Sequence, residues 1–188
     1  MTSTDECPRV IDETIKGLGG IDIIISNMGW TRFSNFADLD AMDYDEWDKC
    51  WSANVKVPHA LLKAAKPTLE ANADGGVMIT TGSIAALTQG GSSMPYSVTK
   101  AAQLQLVKCL GQTQGPKIRV NTVLPGLLLT EWGLKYPEDK IAALKDAAVL
   151  KHEVYLDDCA DAFIMLAKNT SMTGMRIQVD AGLNVQAG

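Results

Sequence analysis

The sequence predicts an α/β protein built on an incomplete doubly wound parallel sheet with helices on both faces. Short apolar runs typical of strands alternate along the chain with longer segments of helical periodicity. The first such run, IDIIIS at residues 21–26, is almost continuously apolar, as expected for a strand covered on both faces. With 188 residues, of which 46% are hydrophobic, the chain suits one domain over residues 1–188.

The first half of the chain predicts two helices around one strand. Residues 5–18 form a helix that two glycines close, because apolar residues recur there at helical spacing: Val10, Ile11, Ile15 and Leu18. The strand at residues 21–26 follows. Residues 43–71 then read as one long helix, which Pro58 is expected to bend.

The second half repeats the alternation of strands and helices. A proline suits the first turn of the next helix, at Pro95. Asp157 is a candidate cap for the helix that runs to Lys168. The predicted elements are, in order, a strand at 77–82, a helix at 95–112, a strand at 117–124, a helix from 138, a helix from 157 and a strand at 175–180.

Composition excludes several classes of function. Seventeen basic residues are scattered among 22 acidic ones, so the chain offers no stripe for binding nucleic acid. No run approaches the roughly 18 apolar residues that span a bilayer, and the first ten residues lack the apolar core of a secretory signal, so we expect a cytoplasmic protein. The four cysteines are widely spaced, which indicates buried free thiols rather than a metal site.

Tyr96 and Lys100 form the first candidate for chemistry. Their separation of four residues places both side chains on one face of the predicted helix. A phenol has a pKa near 10, and an adjacent ammonium favours its ionised form, which would bring the phenol toward the working range of a general acid or base. A tyrosine ring that packs on a lysine stem is the alternative reading of the pair taken alone.

Five signatures, in order along the chain, resemble those of the short-chain dehydrogenase/reductase family, classical type. They are Ser26-Asn27-Met28-Gly29 after a strand, Asn54 in the long helix, Gly82-Ser83 thirteen residues before Tyr96, IRVN at 118–121 with Pro125-Gly126 and Thr130, and MRIQVDAG at 175–182. Ser26 and Met28 depart from the family motif. The resemblance covers almost the whole chain and implies a Rossmann-like fold with hydride-transfer chemistry.

The resemblance also implies catalytic roles. Tyr96 would exchange a proton with the substrate oxygen, and Lys100 would lower the phenol's pKa while binding the nicotinamide ribose. Ser83 would donate a hydrogen bond to the reacting oxygen. The alternative is that Ser83 is an ordinary loop serine at the end of the strand. Asn54 would help to hold a water that links the lysine to solvent, although a satisfied core amide is the alternative.

The family's cofactor is NADP or NAD, with a slight preference for NADP. Asn27 and Gly29 would line its adenosine ribose, and the resemblance places the nicotinamide end against Tyr96 and Lys100. The loop after the strand at 117–124 would cover the nicotinamide with four further residues: Pro125, Gly126, Leu128 and Thr130. A threonine that caps the turn before Glu131 is the alternative for Thr130.

The substrate side is predicted from four residues near the expected mouth of the pocket: Met94, Leu127, Trp132 and Tyr136. An apolar wall there suggests a hydrophobic ketone or secondary alcohol, and ordinary loop packing is the alternative. Family members form dimers or tetramers through long helices, so the apolar face between Trp47 and Ala65 is a candidate for pairing. Epimerisation and dehydration also occur in the wider family.

Relative to the family, the predicted element order lacks its opening. A doubly wound dinucleotide fold begins with a strand, a Gly-rich turn and a helix that binds the pyrophosphate, whereas this chain begins with a predicted helix. Roughly 60 residues of the family pattern are then unmatched. We expect this chain to bind nicotinamide cofactor poorly. A non-catalytic family member that acts through subunit association is the alternative function.

Overall fold

The computed structural model describes residues 3–185, in which four parallel strands form one sheet. The strands are β1 Ile23–Ser26, β2 Gly76–Thr81, β3 Ile118–Pro125 and β4 Arg176–Val179. They lie side by side in chain order, and each neighbouring pair is parallel. Parallel neighbours need crossover connections, and helices supply them here. The predicted α/β fold class is confirmed.

Six α-helices accompany the strands in this part of the chain: α1 Glu6–Leu18, α2 Tyr44–Trp51, α3 Val57–Ala71, α4 Met94–Thr113, α5 Glu138–Ala147 and α6 Leu156–Lys168. Helix α1 ends where predicted, at Gly19, whose φ of 82° lets its N–H bond the carbonyl of Ile15 at 2.8 Å. Helix α2 begins with a capping box between Asp43 and Glu46. None of these helices is long and apolar enough to cross a membrane.

Two hydrophobic clusters lie on opposite faces of the sheet. On the first face, α1, α3 and α4 pack on the strands through residues such as Ile11, Leu61, Met78, Val107 and Val120. On the second face, α6 packs on β2 and β3 through residues such as Val77, Ile79, Val123 and Leu166. Helices therefore cover both faces of β2 and β3, as the sequence predicts.

Strand β1 differs from its prediction. Its residues alternate between exposed and buried, and the side chains of Ile23 and Ile25 are each 51% exposed. Ile24 faces the first cluster, whereas the second cluster contains no residue of β1 within residues 3–185, and α6 packs on β2, β3 and β4. The expectation that this strand is buried on both faces is wrong for the described chain.

The long helix predicted at residues 43–71 is present, with a π-helical turn at Ser52–Lys56 between α2 and α3. Pro58 follows this turn and has no N–H to bond the carbonyl of Asn54 in α-helical fashion. That carbonyl accepts a hydrogen bond from Gln103 Nε2 of α4 at 2.6 Å. The irregular turn includes Asn54, to which the resemblance assigns a catalytic role.

Three smaller predictions need correction. Tyr155, with extended backbone, precedes α6, so Asp157 lies inside the first turn rather than at the cap. Cys109 is exposed, whereas the other three cysteines are buried. Part of the apolar face predicted for pairing is buried inside the chain, since Leu61 and Ala65 belong to the first cluster, whereas Trp51 on the same face is 39% exposed.

Candidate active site

The candidate site lies where the parallel strands end. Asn27 follows β1, Ser83 follows β2 by two residues, and Pro125 is the last residue of β3. Because these three strands are neighbours, their carboxyl ends form one edge of the sheet. Ligands of open parallel sheets bind in the crevice at such an edge. The topology therefore gathers sequence-predicted residues that lie far apart in the chain.

Ser83 and Tyr96 are held by adjoining segments. The Ser83 hydroxyl accepts a hydrogen bond from Ala85 N at 3.1 Å and so caps a short 3-10 turn. Helix α4 starts at the Ser93 cap, whose hydroxyl accepts from Tyr96 N at 3.3 Å. Ser97 then donates to the carbonyl of Ala85 at 2.6 Å and ties the helix to the turn. Two local caps and one cross-link thus fix the serine beside the tyrosine.

The Ser83 side chain lies close enough to the Tyr96 phenol to influence its pKa. That pKa is raised to about 12, chiefly by burial; hydrogen bonding from Ser83 opposes the rise, and the nearby Tyr136 and Cys50 add to it. The net shift is upward because desolvation outweighs the other causes, and Lys100 is not among them, so the lowering by Lys100 stays a prediction.

Lys100 is 2% exposed and lies one turn beyond Tyr96 on α4. Its Nζ lies 5.5 Å from the centroid of the Tyr96 ring and donates to the carbonyl of Thr81 at 2.6 Å. Burial lowers the pKa of Lys100 to about 8, and the neighbouring Cys50 opposes that shift. The ammonium is therefore hydrogen-bonded at the end of β2, next to the Tyr96 ring.

Asn54 is buried, and both the oxygen and the nitrogen of its side-chain amide form hydrogen bonds. Its Oδ1 accepts from Trp30 N at 2.9 Å, and its Nδ2 donates to Trp30 O at 3.0 Å and to Thr99 Oγ1 at 2.9 Å. Cys50, one helical turn earlier, also donates its thiol to Trp30 O, at 3.5 Å. The side chain thus holds the loop after β1 against α4, which matches the alternative of a satisfied core amide.

Gly29 has a steric reason to be glycine. A Cβ at this position would lie 3.0 Å from Asn54 Oδ1 and 3.5 Å from Lys100 Nζ. The backbone of Gly29 is therefore open toward the lysine ammonium, which has three N–H donors for hydroxyl groups. Asn27 lies nearby at the strand end, and its Oδ1 accepts from Thr81 Oγ1 at 2.7 Å. This bare backbone beside an ammonium fits the ribose of a nucleotide cofactor.

The loop after β3 is shaped by packing. A Cβ at Gly126 would lie 2.8 Å from Asp180 Cα, so this glycine allows β3 to approach the turn after β4. Leu128 packs against the second cluster. Thr130 Oγ1 accepts from Gly133 N at 3.4 Å, so the threonine does serve the local turn. These contacts leave the predicted cofactor roles of Pro125, Gly126, Leu128 and Thr130 as predictions.

The predicted substrate residues separate into two groups. Trp132 and Tyr136 join an aromatic cluster with Phe33, which the sequence analysis missed. Met94 instead lines a cavity of about 60 Å³ with Met42 and Trp47, and Leu127 is buried. Phe33 could have been recognised in the sequence as an aromatic residue in the polar loop that follows the Ser26–Gly29 motif.

Comparison with known proteins identifies the family. The family model described as enoyl-(acyl carrier protein) reductase matches residues 1–184. Tropinone reductase-like 3 from Erythroxylum coca is 32% identical over 186 residues, which are 97% of this chain and 70% of that protein. The chain belongs to the short-chain dehydrogenase/reductase family. Human dehydrogenase/reductase SDR family member 4 is 32% identical over 179 residues, 93% of this chain and 63% of that protein.

Solved structures of this short-chain dehydrogenase/reductase family share the fold. A 7α-hydroxysteroid dehydrogenase, solved in complex with NADH and 7-oxo glycochenodeoxycholic acid, aligns with a TM-score of 0.87 and 26% identity. The alignment covers 96% of this chain and 71% of that one. The chain thus spans 63% to 71% of the length of these three proteins.

Proposed function

We propose that the chain belongs to an oxidoreductase that transfers hydride between a nicotinamide cofactor and a ketone or secondary alcohol. One observation carries this proposal: Ser83 is held next to Tyr96, close enough to act on its phenol, and Lys100 follows one turn later on the same helix. Two hydroxyl donors that meet at one point can bind a single substrate oxygen. A role confined to the surface would not require this arrangement.

Each side chain then has a distinct task. Ser83 donates to the carbonyl oxygen as negative charge develops there; loss of one such donor costs roughly 100- to 1,000-fold in rate in other enzymes. Tyr96 gives its proton to that oxygen during reduction and takes it back during oxidation. Lys100 supplies positive charge beside the phenol, and Asn54 holds the loop that carries Gly29.

The cofactor would be NADP or NAD, with NADP slightly preferred, and it supplies or accepts the hydride when bound. A solved relative contains NADH, which supports the class of cofactor. The residues that would hold it are Asn27, Gly29, Tyr96, Lys100, Pro125, Gly126, Leu128 and Thr130. We propose a cytoplasmic location, and we expect weak cofactor binding by this chain, so activity needs cofactor well above micromolar concentration.

The test is the reduction of a small ketone at millimolar NADPH or NADH, with the rate measured from the absorbance of the cofactor. The Tyr96→Phe variant removes the proton donor and is expected to lower the rate at least 100-fold. Tyr44→Phe, at a tyrosine that is 88% exposed, is the matched control and should leave the rate unchanged. Equal rates for Tyr96→Phe and the natural chain would exclude the mechanism. A fluorescence titration that gives micromolar affinity for either nucleotide would refute the expectation of weak binding.

A second candidate is a non-catalytic role through subunit association, as a homodimer or tetramer. An open, largely apolar groove of about 390 Å³ lies beside α1, α3 and α4 and favours it; its lining includes Val55, His59, Lys63 and Leu106. Light scattering on the purified chain tests association directly. A monomer at high concentration would exclude this candidate.

A further inference from the structure

An aromatic cluster joins the two loops that flank the candidate site. Phe33 lies in the loop after β1, and Trp132 and Tyr136 lie in the loop after β3. The Phe33 and Tyr136 rings meet edge to face with centroids 4.7 Å apart, and the Phe33 and Trp132 rings stack at 6.5 Å. Since β1 and β3 are the two neighbours of β2, this contact spans the strand end that leads to Ser83.

The cluster adjoins the reacting groups. Tyr136 is half-buried, and its phenol interacts electrostatically with the phenol of Tyr96. Tyr136 is less exposed than Trp132 and forms the inner end of the cluster. Trp132 stands at the outer end, where it is 46% exposed and Lys135 Nζ lies 3.8 Å from its ring centroid.

The Phe33 ring is fixed by the loop that carries it. Thr31 Oγ1 forms hydrogen bonds with the hydroxyls of Ser92 at 2.7 Å and Ser93 at 3.1 Å. Ser34 N also donates to the carbonyl of Ser92 at 2.9 Å. Phe33 lies between these two attachments, which tie its loop to the residues directly before α4. An aromatic surface that is ordered in advance loses little conformational freedom when a ligand binds.

We propose that Phe33, Trp132 and Tyr136 form the wall on which the substrate lies, and that the site selects a ketone or secondary alcohol on a flat fused or aromatic ring over one on an open chain. Aromatic rings favour stacked or edge contacts with other flat rings beyond the gain from buried area alone. An open chain cannot use these contacts and must also be ordered on binding. This inference rests on the proposed function for the position of the reacting carbonyl.

The experiment compares 1-tetralone with 2-decanone, ketones with the same number of carbons, one fused to an aromatic ring and one open. Affinities for the purified chain are measured by ligand-observed NMR, which needs neither cofactor nor hydride transfer. We expect 1-tetralone to bind at least fivefold more tightly. Phe33→Leu and Trp132→Leu should each reduce that ratio to below twofold. Trp51→Leu, at a partly exposed tryptophan of α2, is the matched control and should keep the ratio.

The outcomes separate this inference from the proposed function. Equal or tighter binding of 2-decanone, no binding of either ketone, or a ratio unchanged in both wall variants would overturn the ring preference. If the ratio of the two affinities changes as expected but no cofactor-dependent reduction occurs, the aromatic wall would be supported and hydride transfer would be refuted. Trp132 is exposed, so its variant keeps the test valid if the Phe33 variant does not fold.

Discussion

Strands β1 and β2 lie side by side in register, yet their similar apolar sequences have opposite environments. Ile25 pairs with Ile79, and Ile23 pairs with Val77. On β2 these side chains are 0% and 2% exposed, whereas on β1 both isoleucines are 51% exposed. The difference arises from α6, which packs on β2 in a cluster that contains no residue of β1 in the described chain. Burial of a strand therefore depends on the element packed above it.

Truncating the paired isoleucines to alanine should give the largest difference in stability between the two strands. Ile79→Ala should lower the free energy of unfolding by about 3 kcal/mol, because it removes a fully buried side chain and leaves a cavity. Ile25→Ala should lower it by less than about 1 kcal/mol, because half of that side chain already contacts water. Urea unfolding of the two variants measures both values. Similar losses would mean that something covers β1.

The second contrast is between two lysines: Lys100 is buried at the end of β2, whereas Lys63 of α3 is exposed. Folding lowers the pKa of Lys100 from 10.5 to about 8, so the unfolded chain binds more protons between those pH values. The contribution of Lys100 to stability should therefore rise with pH there, and the full cost of the buried ammonium remains below pH 8. From pH 8 to 10 this contribution gains about 2 kcal/mol. Above pH 9 Cys50 offsets part of it, because burial raises the pKa of that thiol to about 11.

Lys100→Met should abolish that gain, whereas Lys63→Met, at an exposed lysine of α3, should retain it. Urea unfolding at several pH values supplies the measurement. Above pH 10 the sign reverses, because the folded chain keeps the Tyr96 proton up to about pH 12 while the unfolded chain releases it near 10. A natural chain and Lys100→Met variant with parallel pH profiles would contradict the buried charge.

The smallest effect on stability is expected at the open face of β1. Ile25→Lys should change the free energy of unfolding by no more than about 0.5 kcal/mol, because its side chain can extend into water. It should also reduce binding of a hydrophobic dye and self-association, since a charge protects an exposed apolar edge. Ile25→Val is the control for both assays. A loss near 2 kcal/mol would show that this face is covered.

The sequence predicted the elements well because each depends on local signals. Gly19 closes α1, Asp43 caps α2, and Pro95 lies in the first turn of α4, each through interactions within a few residues. The π-helical turn could not be predicted, since it combines the missing N–H of Pro58 with a hydrogen bond from Gln103 on another helix. Phe33 was missed for the same reason, because its partners lie about a hundred residues away.

By itself, the sequence determined the α/β class, the order of the elements and the spacing of Ser83, Tyr96 and Lys100, because periodicity and capping are local properties. The tertiary structure decided which faces of the strands are buried and which way the pKa values move. The pKa of Tyr96 rises because desolvation acts on the phenol more strongly than any neighbouring charge. Desolvation depends on every atom packed around a group, and only the folded chain brings those atoms together.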